Sequence, residues 1–230
     1  MIESFDLDAY LRRICYDGSR EPSLTVLGAV VHAHARAVPY ENIDVLLRRG
    51  ASLDLAALQR KMVRGRGGGY CFEQNTLLEA GLMALGFIVT RLIARVVRGN
   101  PSPDQARRLH KVLRVDLPEG PYLADVGLGA LTPTVPFALR LEQVQQTPHE
   151  PLRLIAYNGE SMLQVRLGSV WDRSLPLYAR TDATGRFRGQ QLVHLNLSRQ
   201  PLPGQPDRRP PDRRSTDDGV QPAFHDPRSR

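Results

Sequence analysis

The chain has 230 residues, of which 41% are hydrophobic and 24% are charged. This length suits one large domain or two small ones, and the composition excludes a wholly disordered chain. No apolar run approaches the roughly 20 residues that a membrane-spanning helix needs, and no apolar block follows a basic start. We therefore expect a soluble cytoplasmic protein without a secretory signal and without a membrane partner.

The net charge of +7 is unevenly distributed along the sequence. Residues 179–230 hold ten arginines and six acidic side chains, and seven prolines follow residue 199. Such a segment buries too little apolar surface to offset its ordering entropy, so we predict an atypical, disordered Arg/Pro-rich tail. Its arginines alternate with Asp and Pro instead of forming a basic run, and we expect no specific nucleic-acid partner.

The first 86 residues carry the hydrophobic periodicity of helices. Apolar residues at helical spacing predict four helices, which begin near residues 7, 23, 54 and 72. A run of three glycines separates the third helix from the fourth, and Gly86 is a natural end for the fourth.

After Gly86 the pattern changes to short β-rich segments bounded by Gly, Pro or Asn. Five strands are predicted, at 87–97, 109–117, 122–126, 152–157 and 162–167. Helices followed by strands predict an α+β fold, with an N-terminal helical bundle followed by an antiparallel β-barrel-like domain. We divide the chain into a helical domain at 1–86, a β domain at 87–178 and the tail at 179–230.

The segment at residues 67–75, Gly-Gly-Gly-Tyr-Cys-Phe-Glu-Gln-Asn, is the most informative one. Three consecutive glycines cost stability unless the backbone turns sharply or something approaches closely. The turn delivers Cys71 to the first turn of a helix, where free N–H groups and the positive helix end favour a thiolate. Cys71 is therefore predicted to be a nucleophile, whereas Cys15 is predicted only to pack. Two cysteines make no disulfide framework, and without zinc-like spacing no metal site is predicted.

A nucleophilic cysteine needs a base and a group that orients the base. His110 begins one predicted strand and Asp125 lies in the next. If the hairpin turn is centred between residues 117 and 118, the two residues lie opposite each other. If it is centred on residues 119 and 120, Asp125 faces Arg114 and a bulge is needed. We predict that His110 is the base and Asp125 its orienting partner, with the register open.

These residues form a pattern that resembles the arylamine N-acetyltransferases, which use Cys, His and Asp in that chain order. The resemblance covers about residues 5–178 and rests on five elements in the family's order. They are Phe5–Ile14, Pro39–Asp44, Gly68–Asn75, His110 before an apolar strand, and the sequence Asp-Val-Gly-Leu-Gly at 125–129.

The resemblance implies a catalytic core like that of cysteine proteases and transglutaminases, formed by Cys71, His110 and Asp125. This triad would take an acetyl group from acetyl-coenzyme A (acetyl-CoA) and pass it to an arylamine or hydrazine, as in xenobiotic metabolism. No metal is implied, and the sequence carries no signal for an oligomeric state.

The resemblance also implies two sets of binding residues. The backbones of Gly127 and Gly129 would approach the pyrophosphate of the coenzyme, although short Gly loops are more often simple turns. Tyr40 and Leu128 match positions where the family usually has a Phe that lines the amine pocket, so the exchange leaves the amine preference open.

The sequence departs from the family after residue 178. Where the family continues into an α/β lid over the active site, residues 179–230 show no such pattern, and we expect the lid to be largely missing. Residues 187–197, read with permissible codons in another frame, can encode a family-like Ser-Asn-Trp-Tyr string. We hypothesise a frameshift near residues 179–182, which sequencing of the gene would refute by finding a single open frame.

Two alternative functions stay open. One is a thiol hydrolase or transglutaminase-like enzyme that uses the same triad on acyl-glutamine or peptide substrates. The other is an inactive remnant without a lid, whose basic tail binds anionic partners weakly. The order of helices and strands and the residues Glu73 and Asn75 beside the cysteine favour the acetyltransferase.

Overall fold

The computed structural model describes residues 5–97, 108–158 and 160–178, with the backbone alone described from residue 173. The predicted tail and the expected absence of a lid lie outside the described residues. Within them the chain forms five α-helices and one π-helical segment, all before residue 85. They are α1 (Leu7–Arg13), α2 (Leu24–Ala37), α3 (Ile43–Leu46), α4 (Leu55–Leu58), the π-helical segment Gln59–Arg64, and α5 (Cys71–Ala84).

Side-chain caps explain where the first two helices begin. The Asp6 carboxylate accepts a hydrogen bond from the backbone N–H of Ala9 at 2.9 Å, and the Ser23 hydroxyl accepts one from Val26 at 3.3 Å. Each cap satisfies an N–H group that has no partner inside its helix. The observed starts agree with the predicted ones, whereas the short helix α3 was not predicted.

The strands follow the helices in the chain and form one antiparallel sheet. They are β1 (Ile88–Arg95), β2 (Arg108–Leu117), β3 (Gly120–Ala124), β4 (Phe137–Ala138), β5 (Leu152–Tyr157), β6 (Glu160–Leu167) and β7 (Val170–Tyr178). Their order across the sheet is β4-β3-β2-β1-β7-β6-β5. Every neighbouring pair is antiparallel. The predicted α+β class with an antiparallel sheet is confirmed.

The sheet differs from the barrel-like arrangement that the sequence suggested. Its strand order has two ends, β4 and β5, so the described strands form an open sheet. Within the described ranges, two isolated bridges join the segment after β4 to β5, at Leu141 to Leu154 and at Gln145 to Leu152. Because β4 has only two residues and irregular chain follows it, no continuous ladder closes the sheet, and the barrel-like expectation is wrong.

The core crosses the boundary that was predicted at residue 86. The largest buried cluster, here called the helix–sheet core, joins helical residues such as Leu27 and Leu78 to Leu113 and Val115 of β2. Val112, which points to the other face of β2, belongs to a second cluster formed by strand residues and called the sheet core. The three-part division of the chain stays a prediction. No helix in the described part of the chain is long and apolar enough to cross a bilayer.

Candidate active site

The chain reaches Cys71 through a turn whose glycines have no room for side chains. A Cβ on Gly68 would lie 2.2 Å from the carbonyl oxygen of Pro39, and one on Gly69 would lie 2.9 Å from the Cβ of Glu73. This close packing explains Gly68 and Gly69. Cys71 is then the first residue of α5 and is buried. At that position the positive end of the helix dipole favours negative charge.

The structure brings the three predicted catalytic side chains together. The Sγ of Cys71 lies 3.7 Å from the carbonyl oxygen of Leu109, the residue before His110, so the thiol is next to the strand position that carries the histidine. Nε2 of His110 lies 2.5 Å from Oδ2 of Asp125, and both residues are almost completely buried. Because Nε2 contacts the carboxylate, Nδ1 is the ring nitrogen left for the thiol.

The β2–β3 register differs from both predicted alternatives. Leu113 pairs with Ala124, which places the turn midway between the two predicted centres. Strand β3 ends one residue before Asp125, and the continued register would place position 125 opposite Val112. His110 lies two residues before Val112 on the same face of β2, so its side chain reaches Asp125 diagonally. The predicted direct pairing is wrong, but the side-chain contact forms without a bulge between β2 and β3; the register shift next to His110 lies between β1 and β2.

Asn75, one helical turn after the cysteine, holds the aspartate in place. Its Nδ2 donates to Oδ1 of Asp125 at 2.8 Å and to the carbonyl oxygen of Lys111 at 2.7 Å. Its Oδ1 accepts from the backbone N–H of Val126 at 3.1 Å. The N–H of Gly127 also donates to Oδ1 of Asp125, at 2.8 Å. Two donors therefore occupy one carboxylate oxygen, and the other oxygen faces the histidine.

The electrostatics of this group favour a charged pair. Burial by itself would lower the pKa of His110, but the Asp125 carboxylate and the Cys71 side chain outweigh it and raise the pKa above its ordinary value. Burial opposes ionisation of Asp125, yet His110 and the two hydrogen-bond donors on Oδ1 hold its pKa below the usual range. Both pKa shifts favour an imidazolium and a carboxylate at neutral pH. An imidazolium beside a thiol stabilises the thiolate.

The other four predicted site residues differ in their surroundings. A Cβ on Gly127 would lie 2.7 Å from Cα of Cys71, so this glycine allows the loop to pack on α5. Gly129 has a φ of 67° and open space around its Cα. Tyr40 and Gly129 line a cavity of about 350 Å³, whereas Leu128 packs against the sheet core. The coenzyme and amine contacts of these four residues stay predictions.

A family model described as N-acetyltransferase matches residues 23–190 of the chain. The arylamine N-acetyltransferase of Mycolicibacterium smegmatis is 44% identical over 183 residues, which cover 77% of this chain and 65% of that protein. The solved arylamine N-acetyltransferase of M. tuberculosis superposes with a TM-score of 0.78 at 38% identity, over 86% of this chain and 73% of that chain. This chain belongs to the arylamine N-acetyltransferase family.

Two further members of the arylamine N-acetyltransferase family bear on the ligands. The enzyme of Salmonella typhimurium, named for arylamine N-acetylation and N-hydroxyarylamine O-acetylation, is 40% identical over 72% of this chain and 58% of its own length. The Mycobacterium marinum enzyme, solved in complex with CoA, has a TM-score of 0.79 at 38% identity over 85% of this chain and 72% of that chain. The chain thus spans about three fifths of the length of the curated relatives it matches.

In this member of the family, Asn75 is the functional residue whose role sequence reasoning missed. Its position four residues after Cys71 on one helix was a signal that both side chains share a face.

Among the described residues no group of three or more His, Cys, Asp or Glu side chains could hold a metal ion.

Proposed function

We propose that this chain transfers an acetyl group from acetyl-CoA to the nitrogen of arylamines or hydrazines through an acetyl-cysteine intermediate. Cys71 is the nucleophile, His110 the general acid and base, and Asp125 the group that orients the histidine. Acetyl-CoA is a substrate in this reaction, and no metal takes part. A cytoplasmic location and the lack of nucleic-acid and membrane partners remain predictions.

In the first half-reaction, the Cys71 thiolate attacks the carbonyl carbon of acetyl-CoA. The bond between that carbon and the coenzyme sulfur then breaks, and the His110 imidazolium gives its proton to the departing coenzyme thiolate. Before the attack, the positive end of the α5 dipole stabilises the Cys71 thiolate. This half-reaction leaves a thioester on Cys71, a neutral His110 and free CoA.

In the second half-reaction, the amine nitrogen attacks the carbonyl carbon of the Cys71 thioester. Neutral His110 accepts the proton that the nitrogen loses, and the carbon–sulfur bond breaks to return the Cys71 thiolate. Asp125, whose Oδ1 is held by Asn75 and Gly127, keeps the imidazole in one orientation during both proton transfers. The product is the N-acetylated amine, and the imidazolium–thiolate pair is restored.

The observation that carries this proposal is the position of Cys71 at the start of α5, with its Sγ against the residue before His110, while His110 contacts Asp125. Membership of the arylamine N-acetyltransferase family supports the choice of donor and acceptor. A hydrolase or transglutaminase-like activity uses the same three groups, but no contact among the described residues favours it.

The test is a steady-state assay of CoA release from acetyl-CoA with 4-methoxyaniline as acceptor. We expect Cys71→Ala to lower kcat/KM by roughly 10³-fold or more, because it removes the nucleophile. Cys15→Ser is the matched control, because Cys15 lies two residues after α1 and is exposed, contrary to the packed position predicted from the sequence. This substitution should leave the rate unchanged. A Cys71→Ala variant that keeps most of its activity would contradict the mechanism.

A further inference from the structure

Strand β2 meets helix α5 at the residues on either side of His110. Sγ of Cys71 lies 3.7 Å from the carbonyl oxygen of the residue before His110, and Nδ2 of Asn75 donates to the carbonyl oxygen of Lys111 at 2.7 Å. The same nitrogen of Asn75 donates to Asp125 at 2.8 Å. The position of β2 relative to α5 therefore sets where the histidine lies with respect to both the thiol and the carboxylate.

The sheet gives limited support to this part of β2. Among the described strands, β3 pairs with β2 only from Leu113 onward. On the other side of β2, the register with β1 shifts next to the histidine, since Ala94 pairs with His110 but Arg95 pairs with Arg108. Such an irregularity interrupts the ladder of backbone hydrogen bonds. Contacts with α5 must therefore supply part of what fixes the position of His110.

The side chain of Lys111 makes a charged contact between these two elements. Its Nζ donates to Oε2 of Glu79 at 2.7 Å and to Oγ1 of Thr76 at 2.8 Å, and both partners belong to α5. The side chains of Lys111 and Glu79 are only 3% and 5% exposed. Burial lowers the pKa of Lys111 to about 8, and the Glu79 carboxylate limits this fall, so the ammonium form prevails at pH 7.

Lys111 occupies a position at which the pattern of β2 favours an apolar side chain. Leu113 and Val115, which follow it on the same face of the strand, are completely buried in the helix–sheet core. A buried ion pair adds little net stability over apolar residues of similar volume, because both charges lose their hydration. Apolar burial has no preferred direction, whereas a charged hydrogen bond requires a defined distance and angle. The pair is therefore better suited to fixing the position of β2 than to stabilising the fold.

We propose that Lys111 is a positioning residue, whose ion pair with Glu79 fixes β2 against α5 and thereby holds the ring of His110 in its catalytic position. This inference rests on the proposed function, because its effect on the rate passes through the histidine. No step of the reaction uses the amine of Lys111 itself. Without the pair, β2 can move relative to α5, and a displacement of about 1 Å at a catalytic group costs up to about 100-fold in rate.

The first measurement is ¹H NMR of the His110 ring at pH 7, without any ligand. A short hydrogen bond between an imidazolium and a carboxylate moves its proton strongly downfield. We expect this signal in the native chain and its loss in Lys111→Met, although removal of a positive charge by itself favours the imidazolium. Arg91→Met is the matched control and should keep the signal. Each variant removes one of the two cations that contact Glu79 and leaves the other in place.

The second measurement is the rate at which acetyl-CoA acetylates Cys71, followed by intact mass after rapid quenching. In Lys111→Met we expect the rate constant at saturating acetyl-CoA to fall about tenfold, because the base is misaligned. The acetyl-CoA concentration that gives half the maximal rate should stay the same, since the substitution removes no substrate contact. Arg91→Met should leave both values unchanged.

Loss of the ring signal together with slower acetylation in Lys111→Met, but not in Arg91→Met, supports the proposal. An unchanged signal in Lys111→Met, an equal loss in both variants, or no such signal in the native chain overturns it. If Lys111→Met does not fold, Thr76→Val removes the contact of the lysine with the Thr76 hydroxyl at nearly constant shape, and an unchanged ring signal there overturns the proposal. A native chain that shows the signal but takes up no acetyl group contradicts the proposed function, whereas the ring signal still decides on Lys111.

Discussion

Two buried histidines have opposite electrostatic environments. His34 of α2 has one ring nitrogen 2.8 Å from the hydroxyl of Tyr10 and the other 2.8 Å from Oε1 of Gln74. Neither neighbour is charged, so burial lowers the pKa of His34 to about 4. His110 is equally buried but contacts the Asp125 carboxylate, and its pKa moves upward. The sequence could not distinguish the two, because only the tertiary neighbours differ.

We predict that His34 stays neutral and His110 stays charged across the neutral range. Between pH 6.5 and about 4, His34 binds a proton more readily in the unfolded chain than in the folded one. Because of this difference, His34 lowers the free energy of unfolding by up to about 3 kcal/mol as the pH falls through this range. His110 stabilises the fold below pH 6.5, and this contribution is lost as the pH rises toward about 10. Ring ¹⁵N NMR over this range tests both statements. A neutral His110 ring at neutral pH, or a His34 ring that titrates near its ordinary value, would contradict them.

At the scale of elements, a lysine joins α3 and the residue before its cap to the start of α5. Lys61, in the π-helical segment, contacts Asp44 at 2.8 Å, Glu73 at 3.0 Å and Glu41 at 3.1 Å. Glu73 is almost fully buried and also accepts from the N–H of Tyr70 at 3.1 Å. These contacts tie the segment that carries the cavity wall to the helix that carries the cysteine.

We predict that Lys61→Met lowers the free energy of unfolding by about 3 kcal/mol, because it leaves three carboxylates together without a cation. Lys61→Arg keeps the charge and should recover most of the loss. Arg20→Met is the matched control, since its ion pair with Asp8 is well exposed and is worth less than about 1 kcal/mol. Urea-induced unfolding measures all three variants. Equal, small losses for Lys61→Met and Arg20→Met would show that the lysine does not hold these elements together.

The hairpin register shows where sequence reasoning reached its limit at this scale. The polar pair His110 and Asp125 was identified from residue types and from their places on successive strands. Their exact relation depends on the turn that joins the strands, and side chains two positions apart on one face reach each other as well as direct partners do. Asn75, which decides how Asp125 is held, becomes visible only when α5 is packed against β2 and β3.

For the whole molecule, the change from helical to alternating periodicity was sufficient to predict an α+β protein. The sheet order was not predictable, because β1 pairs with β7, far along the chain, as well as with its neighbour β2. Strand β7 itself was missed, since Asp172, Arg173, Ser174 and Pro176 interrupt its apolar pattern.

The most direct test of the account is the intact mass of the purified chain, with peptide mapping, after mixing with acetyl-CoA in the absence of any amine. We predict one acetyl group on Cys71 and none on Cys15, because only Cys71 lies at a helix N-terminus beside His110. Addition of 4-methoxyaniline should then remove this acetyl group and yield the N-acetylated amine. A folded chain that takes up no acetyl group, or an acetyl-Cys71 that the amine leaves in place, would contradict the transfer mechanism.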